Sequence, residues 1–335
     1  MKVLVTGATG FLGHHLFRRL VGEGHAVTAF HRSTSNVADL PASGVALAIG
    51  DVADADAVRR AVDGQDVVVH AAAHLAYWRG FRDEQSRVNL DGTRNVARAC
   101  RAAGVGRMVH VSSVAAVGIP AAGDGPADEN FPFNLRESGL NYHLSKRQGE
   151  EAVNEEVARG LDAVIVNPGS IFGPAHRGYR GGEMMEKVRG KRVVLYFVGG
   201  INAVHVEDVV DGIARAMTRG RSGQRYILGG DNVTYRHIVE VAMTQLGQRS
   251  MAVPVPPIIT GTASAIFESL GRLSGRRPPF TRDTHYCSQR RQFYASDKAQ
   301  AELGYTARSF ETIVGDYLVW STNQRPRVHG EARFV

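Results

Sequence analysis

Apolar residues fall along the first half of the chain in two alternating rhythms, short unbroken blocks and longer stretches of helical period. Lys2 to Thr6 is a β-branched block of the length expected for a buried parallel strand, and Leu12, Leu16, Leu20 and Val21 after it can share one helix face. Further strands are predicted over Ala26–His31, Val45–Ile49, Asp66–His70 and Arg107–Val111. Helices are predicted over Ala55–Val62 and Arg87–Ala103. A long helix is expected over Tyr142–Arg159, then a buried strand over Leu161–Val166 that Asn167-Pro168 stops. Strands alternating with helices predict the α/β class, a doubly wound parallel sheet.

After Gly169 the rhythm changes. Residues 173–200 carry many glycines, Met184, Met185 and an apolar run over Val193–Val198. Strand-then-helix order returns at Ala203–Val206 and Asp208–Thr218, with one more strand at Arg225–Leu228. The last hundred residues alternate short helices with proline-rich loops such as Pro254-Val255-Pro256-Pro257. The expected organisation is a nucleotide lobe of 1–168 plus 203–228, and a smaller, discontinuous substrate lobe of 169–202 plus 229–335.

Length, composition and charge alter this picture little. The 335 residues suffice for one large α/β unit or two lobes. Two cysteines, Cys100 and Cys287, make a disulfide framework unexpected and a reducing cytoplasm the expected location. No basic-then-apolar leader precedes the first strand, so a cleaved secretion signal is not expected. The stretch best suited to touch a membrane, Pro254–Leu273, is broken by Pro256, Pro257, Gly261 and Glu268, and no membrane partner is expected. The net charge of +7 comes from basic residues spread along the chain, which reads as a solvated surface rather than a nucleic-acid stripe.

Three groups of residues carry candidate chemistry. Gly7, Gly10 and Gly13 follow the first strand at intervals of three, with Ala8, Thr9, Phe11 and Leu12 between them. Glycines let a backbone approach a pyrophosphate closely, and the free amides and dipole of the next helix attract its charge; a tight βα turn without a ligand would look the same. Tyr142 and Lys146 lie four apart on a predicted helix, so phenol and ammonium share a face, and the nearby cation favours phenolate. Such pairs also recur by chance. Ser112-Ser113 closes the fifth strand, where α/β sheets place ligands, although serines there also cap helices. No metal ligands are assigned.

Taken in order, these motifs resemble the extended short-chain dehydrogenase/reductases, the superfamily of NAD(P)-dependent epimerases and dehydratases. The matching stretches are Thr6–Gly13, His70-Ala71-Ala72-Ala73, Val111-Ser112-Ser113 and the Tyr142/Lys146 pair. Gly50-Asp51-Val52, Asn89 within Val88–Thr93, Asn167–Pro174 and Val204–Val209 add to them. The likeness spans essentially the whole chain and is closest to the dihydroflavonol-4-reductase-like branch and to hopanoid-associated sugar-epimerase-like sequences. It implies a Rossmann-type fold with Tyr142 as acid/base and Lys146 tuning it and holding the nicotinamide ribose. Ser113, five residues before Gly118, matches the catalytic hydroxyl better than Ser112. The glycine turn (Gly7, Thr9, Gly10, Phe11, Leu12, Gly13) would hold pyrophosphate, Asp51 and Val52 would border the adenine, and Ala71–Ala73 with Pro168 and Ser170 would line the nicotinamide side. The resemblance also implies a homodimer paired through the helices near Arg87–Ala103 and Asn141–Arg159.

Two finer expectations concern specificity. NAD sites put an acid at the end of the second strand, whereas His31, Arg32 and Ser33 stand here, and an arginine suits a 2′-phosphate; NADP(H) is expected over NAD(H). The resembling 4,6-dehydratases carry Asp-Glu after the catalytic hydroxyl, but Val114-Ala115 follow Ser113. No cysteine stands near that hydroxyl as in the 3,5-epimerase/reductases, and Gly200–Ala203 lacks the arginine that many nucleotide-sugar members use for diphosphate. Tyr77, Trp78, Met184, Met185, Tyr196 and Phe197 make the candidate substrate region apolar, with Trp78 and His74 the foremost contacts. The reading that follows is an NADPH-dependent reductase of a ketone or aldehyde on a fairly hydrophobic small molecule. The alternatives are a nucleotide-sugar 4-epimerase and a non-catalytic NADP-responsive binding protein.

Overall fold

The computed structural model describes residues 1–38, 40, 45–174 and 182–323. Parts of the expected second lobe, 175–181 and 324–335, lie outside the described residues. Seven strands form one parallel sheet: β1 (Lys2–Thr6), β2 (Ala26–His31), β3 (Val45–Ile49), β4 (Val67–His70), β5 (Arg107–Val111), β6 (Ala163–Pro168) and, last in sequence, β10 (Arg225–Leu228). Their order is β10-β6-β5-β4-β1-β2-β3. The chain winds outward one way from β1 and then the other way from β4, so the crevice where the winding reverses lies beyond the ends of these two strands. Val3, Val5, Val67, Val69 and Val109 face one buried layer, and Leu4, Val68 and Met108 the other. The fold is a Rossmann-type α/β sheet, as expected.

Five helices flank it. α1 (Phe11–Gly22) and α7 (Val206–Arg219) lie together on one face, while α2 (Ala55–Val62), α4 (Thr93–Ala102) and α5 (Asn141–Val157) cover the other. A short helix, α3 (Arg82–Gln85), leads into a wide π-helical stretch over Ser86–Gly92 before α4. The sequence pattern predicts one regular helix there. The turn is wide because Thr93 donates its hydroxyl to Asn89 O at 2.7 Å, and because Gly149 of α5 packs on that same carbonyl, 2.7 Å from where a Cβ would stand.

Two expectations change at the sheet's edge. β6 runs through Asn167-Pro168 rather than stopping before them. Parallel pairing with β10 needs no amide from Pro168, because Gly169 N supplies the next bond, to Leu228 O. The strand expected to return to the first lobe at residue 203 is β9 (Gly200–His205). It pairs with β7 (Ser170–Phe172), β11 (Asp231–Thr234) and β13 (Arg291–Gln292) in a second sheet, so the return to the main sheet comes only with α7 and β10. The second core is closed by α6 (Glu183–Glu186), α8 (Tyr235–Gln245) and α12 (Phe310–Asn323), with α11 (Asp297–Leu303) joining the main body. A two-stranded sheet of β8 (Val193–Tyr196) and β12 (Met251–Pro254) leads into α9 (Pro257–Ser274), which packs on α10 (Arg282–Ser288). At eighteen residues, α9 is not one of the short helices expected there.

Candidate active site

Gly7 has φ +74°, and a Cβ on it would meet Ala72 N at 2.7 Å. Gly13 admits no side chain either, since its Cβ would fall 2.0 Å from Gly7 O. The turn is therefore pressed between the end of β4 and the first turn of α1. Gly10 caps α1 with no side-chain bond, and the N-terminus of a helix is a place where anions bind. These close approaches are the shape expected of a backbone that receives a pyrophosphate, and they fit a dinucleotide.

A buried polar chain fixes the height of this turn. Because the Thr93 proton goes to Asn89, Thr93 Oγ1 accepts from His70 Nε2 at 3.0 Å. His70 Nδ1 then accepts from the Thr6 hydroxyl at 2.7 Å, and Thr6 Oγ1 accepts the Ala72 amide at 3.2 Å. Burial and the charge of Lys146 pull the His70 pKa down to about 3, so the neutral tautomer that this chain requires is the one present.

A cleft of about 350 Å³ opens beyond the ends of β1, β2 and β4. The sequence-predicted Gly7, Thr9, Gly10, Arg32, Asp51, Val52, Ala71, Ala72, Ala73 and His74 line it together. Phe11, Leu12 and Gly13 stand behind the wall in α1 rather than in it, and Ser33 is also absent from it. The turn after β2 closes with Ser35 N donating to Arg32 O at 2.9 Å, which brings Ser35 back into the wall in place of Ser33. Sequence reasoning noted His31 at the end of the second strand without assigning it to the site, and missed Phe30, Leu75, Glu84 and Val88. Glu84 had a readable signal: it lies three residues before Arg87, which bonds it at 2.8 Å and reaches Asp51 at 3.1 Å. Burial works to raise the Asp51 pKa, but the Ala53 amide, Arg87 and the charge of Arg32 outweigh it and hold the carboxyl below its usual range.

Tyr142, Lys146 and Glu150 follow one another at single-turn intervals on α5. Lys146 is buried, and its Nζ donates to Val111 O at the end of β5, 2.9 Å away. Desolvation lowers its pKa to about 8, against the pull of Glu150. Tyr142 is half-buried, its ring edge-on to that of Tyr77 at 5.7 Å. Of the two serines, Ser112 is buried with no partner for its hydroxyl among the described residues, whereas Ser113 is half-buried and its Oγ accepts the Ala115 amide at 3.2 Å. Ser113 O is held by Asn167 Nδ2 at 2.9 Å; the same nitrogen reaches Glu150 at 2.6 Å, and Glu150 pairs with Arg225. Asn89 bridges the two halves, bonding the His74 amide and carbonyl and donating to Ser145 on α5.

The remaining candidates lie further out. Pro168 is buried at the end of β6 and Ser170 opens β7; neither lines the cleft. Trp78 packs edge-on to Phe81 at 5.0 Å and covers Gly80, so the aromatic ring that meets Tyr142 is Tyr77. Met185 is part of the second core, with Met184 and Tyr196 packed against it, and Phe197 stacks on Phe280 at 5.6 Å.

The sequence model of the NAD dependent epimerase/dehydratase family matches residues 3–229. The chain is 33% identical to sterol demethylase protein B of Methylococcus capsulatus, over 96% of this chain and 98% of that protein. It is 32% identical to a putative dihydroflavonol 4-reductase of Synechocystis, over 95% and 94%. The crystal structure of gox2253 superposes with a TM-score of 0.80 at 34% identity, covering 96% of this chain and 98% of that one. The glycine turn at the β1/β4 reversal, the cleft beyond it and the full-length likeness agree: the chain belongs to the NAD dependent epimerase/dehydratase family of extended short-chain dehydrogenase/reductases and is an NAD(P)-dependent oxidoreductase.

Proposed function

We propose that the protein is an NADPH-dependent reductase of a ketone or aldehyde carried on a fairly hydrophobic small molecule. The observation that carries this reading is the α5 face that sets Tyr142 one turn from a buried, hydrogen-bonded Lys146 beside the end of β5. When bound, the nicotinamide supplies hydride to the carbonyl carbon. Tyr142 delivers the proton to the oxygen, since an alkoxide left unprotonated in a dry pocket is costly. The Lys146 ammonium stabilises negative charge on the phenol oxygen and is placed to hold the ribose. Ser113 Oγ, the half-buried hydroxyl of the pair, orients the substrate oxygen. Arg32 and Ser35, at the β2 end of the cleft, supply a cation and a hydroxyl for a 2′-phosphate, which supports NADPH over NADH.

The apolar character of the substrate is supported by Tyr77 against Tyr142, and by relatives named for a sterol and a dihydroflavonol. Val114-Ala115, in place of an acid pair, speaks against dehydration. A homodimer paired through α4 and α5 and a cytoplasmic location belong to the same reading. The test is a panel of aryl and alicyclic ketones followed by NADPH absorbance, in which sustained consumption is expected. Turnover of a nucleotide sugar with no net cofactor consumption, and none of the ketones reduced, would replace reduction with epimerisation.

A further inference from the structure

Helix α9 is turned inside out. Its buried residues are Thr260, Ser264, Glu268 and Gly271, while Ile258, Ile259, Ile266, Leu270 and Leu273 are 54–85% exposed. At 100° per residue, the four buried positions fall on one stripe and the five apolar ones on another. The polar stripe is docked on α10 and its lead-in. Thr260 Oγ1 lies 2.9 Å from His285 Nδ1, Glu268 accepts the Arg282 amide at 3.0 Å, and a Cβ on Gly271 would stand 2.6 Å from Pro278. These bonds fix the rotation of the helix, and with it the outward direction of its apolar side.

The strands before α9 continue the pattern. Val193 and Leu195 of β8 and Met251 of β12 are exposed. Exposed Lys191, Arg192 and Arg249 flank those strands, and exposed Arg272, Arg276 and Arg277 stand at the far end of α9. Across residues 187–200 and 247–277 the one carboxylate is Glu268, and it is buried. Segments that expose apolar residues and cations with no exposed anion of their own are complementary to an anionic lipid surface, and the nearby Glu240 of α8 is paired with Arg236. Such a face is poorly suited to a second copy of itself, because a two-fold contact would bring the same cations together.

We propose that this face, α9 with the β8/β12 edge, seats the protein on an anionic lipid bilayer. No described helix is long and apolar enough to cross a membrane, so the contact is one of lying on the surface, with α9 running about 27 Å along it. The proposal departs from the expectation that the chain has no membrane partner. It goes beyond the proposed reduction and does not depend on it. The face also adjoins the substrate side, since Arg277 and Pro278 share a cleft of about 300 Å³ with Tyr77, the ring that meets Tyr142.

The experiment is flotation of the full chain with vesicles of phosphatidylcholine alone, or with about one third phosphatidylglycerol, at low salt and at about 0.5 M salt. The wild type is expected to float with the anionic vesicles at low salt and to be released by salt. Leu270→Gln/Leu273→Gln and Arg276→Glu/Arg277→Glu change exposed side chains only. Each should lower the bound fraction by about tenfold or more, with the melting temperature and the molar mass in light scattering unchanged. A wild type that stays in solution with anionic vesicles, as it would if the face served an acidic protein, overturns the proposal. So do variants that float as the wild type does, or a Leu270→Gln/Leu273→Gln protein whose molar mass halves.

Discussion

Arg32 is the residue on which the proposed preference for NADPH rests. It stands in the cleft wall at the end of β2, where an acid would bond two ribose hydroxyls and a cation instead meets a phosphate. Arg32→Asp should weaken NADPH binding by about 1–3 kcal/mol while NADH binding holds or improves, as read by fluorescence titration of each cofactor. Equal losses for both would show that Arg32 does not read the 2′-phosphate. Lys146 sets the pH dependence. Its pKa near 8 means that the ammonium is present below that pH and is lost above it. The proposed reduction needs both this charge and the phenolic proton, so kcat/KM for the carbonyl should be level at lower pH and fall as pH rises through about 8. A profile flat from about pH 6 to 10 would remove Lys146 from the chemistry. The residues legible in the sequence were those whose role rests on their own spacing: the glycines and the Tyr142/Lys146 turn. Spacing does not show that a backbone turn brings Ser35 rather than Ser33 into the cleft wall, nor that packing sets Tyr77, named alongside Trp78, against Tyr142.

Among the elements, α5 carries the most of the proposed chemistry. Its low-lying face carries Lys146 and Glu150 into the interior, and Glu150 is closed off by Asn167 and Arg225, the latter reaching over from β10. Breaking a buried pair leaves an uncompensated charge behind. Glu150→Ala should therefore cost about 3–5 kcal/mol in urea unfolding, and Glu150→Ala combined with Arg225→Leu should recover part of it. A single variant as stable as the wild type would mean that Arg225 finds water when its partner leaves. Periodicity predicted every strand of the large sheet and the main helices between them, mostly because they bury apolar blocks or stripes; β3, at the edge, is apolar in sequence yet leaves Leu47 and Ile49 exposed. It could not reveal the wide turn over Ser86–Gly92, which depends on Thr93 and Gly149 meeting one carbonyl from two helices. Nor could it show which stripe of α9 faces inward, since α10, packed by its own bonds, decides that.

Over the whole molecule, a sheet that reverses between β1 and β4 brings the glycine turn, Arg32 and Ala71–Ala73 to one crevice, while Lys146 of α5, one turn from Tyr142, bonds the end of β5 just before Ser113. The first of these arrangements was legible in part: the glycine turn and Arg32 from their places after predicted strands, Ala71–Ala73 only through the family resemblance. The second sheet was not legible, because β7, β9, β11 and β13 are short strands distant in sequence whose pairing no local pattern specifies. The central claim is that this assembly moves a hydride to a carbonyl carbon while Tyr142 supplies the proton. The direct measurement is a single turnover with NADPH deuterated at nicotinamide C4 and a ketone that the enzyme consumes, run with wild type and with Tyr142→Phe. The account predicts deuterium on the carbinol carbon of the wild-type product, and a Tyr142→Phe rate lower by about two to four orders of magnitude with NADPH binding within a few-fold of normal. Unlabelled product, or a Tyr142→Phe enzyme that turns over at the wild-type rate with chemistry limiting, would contradict it.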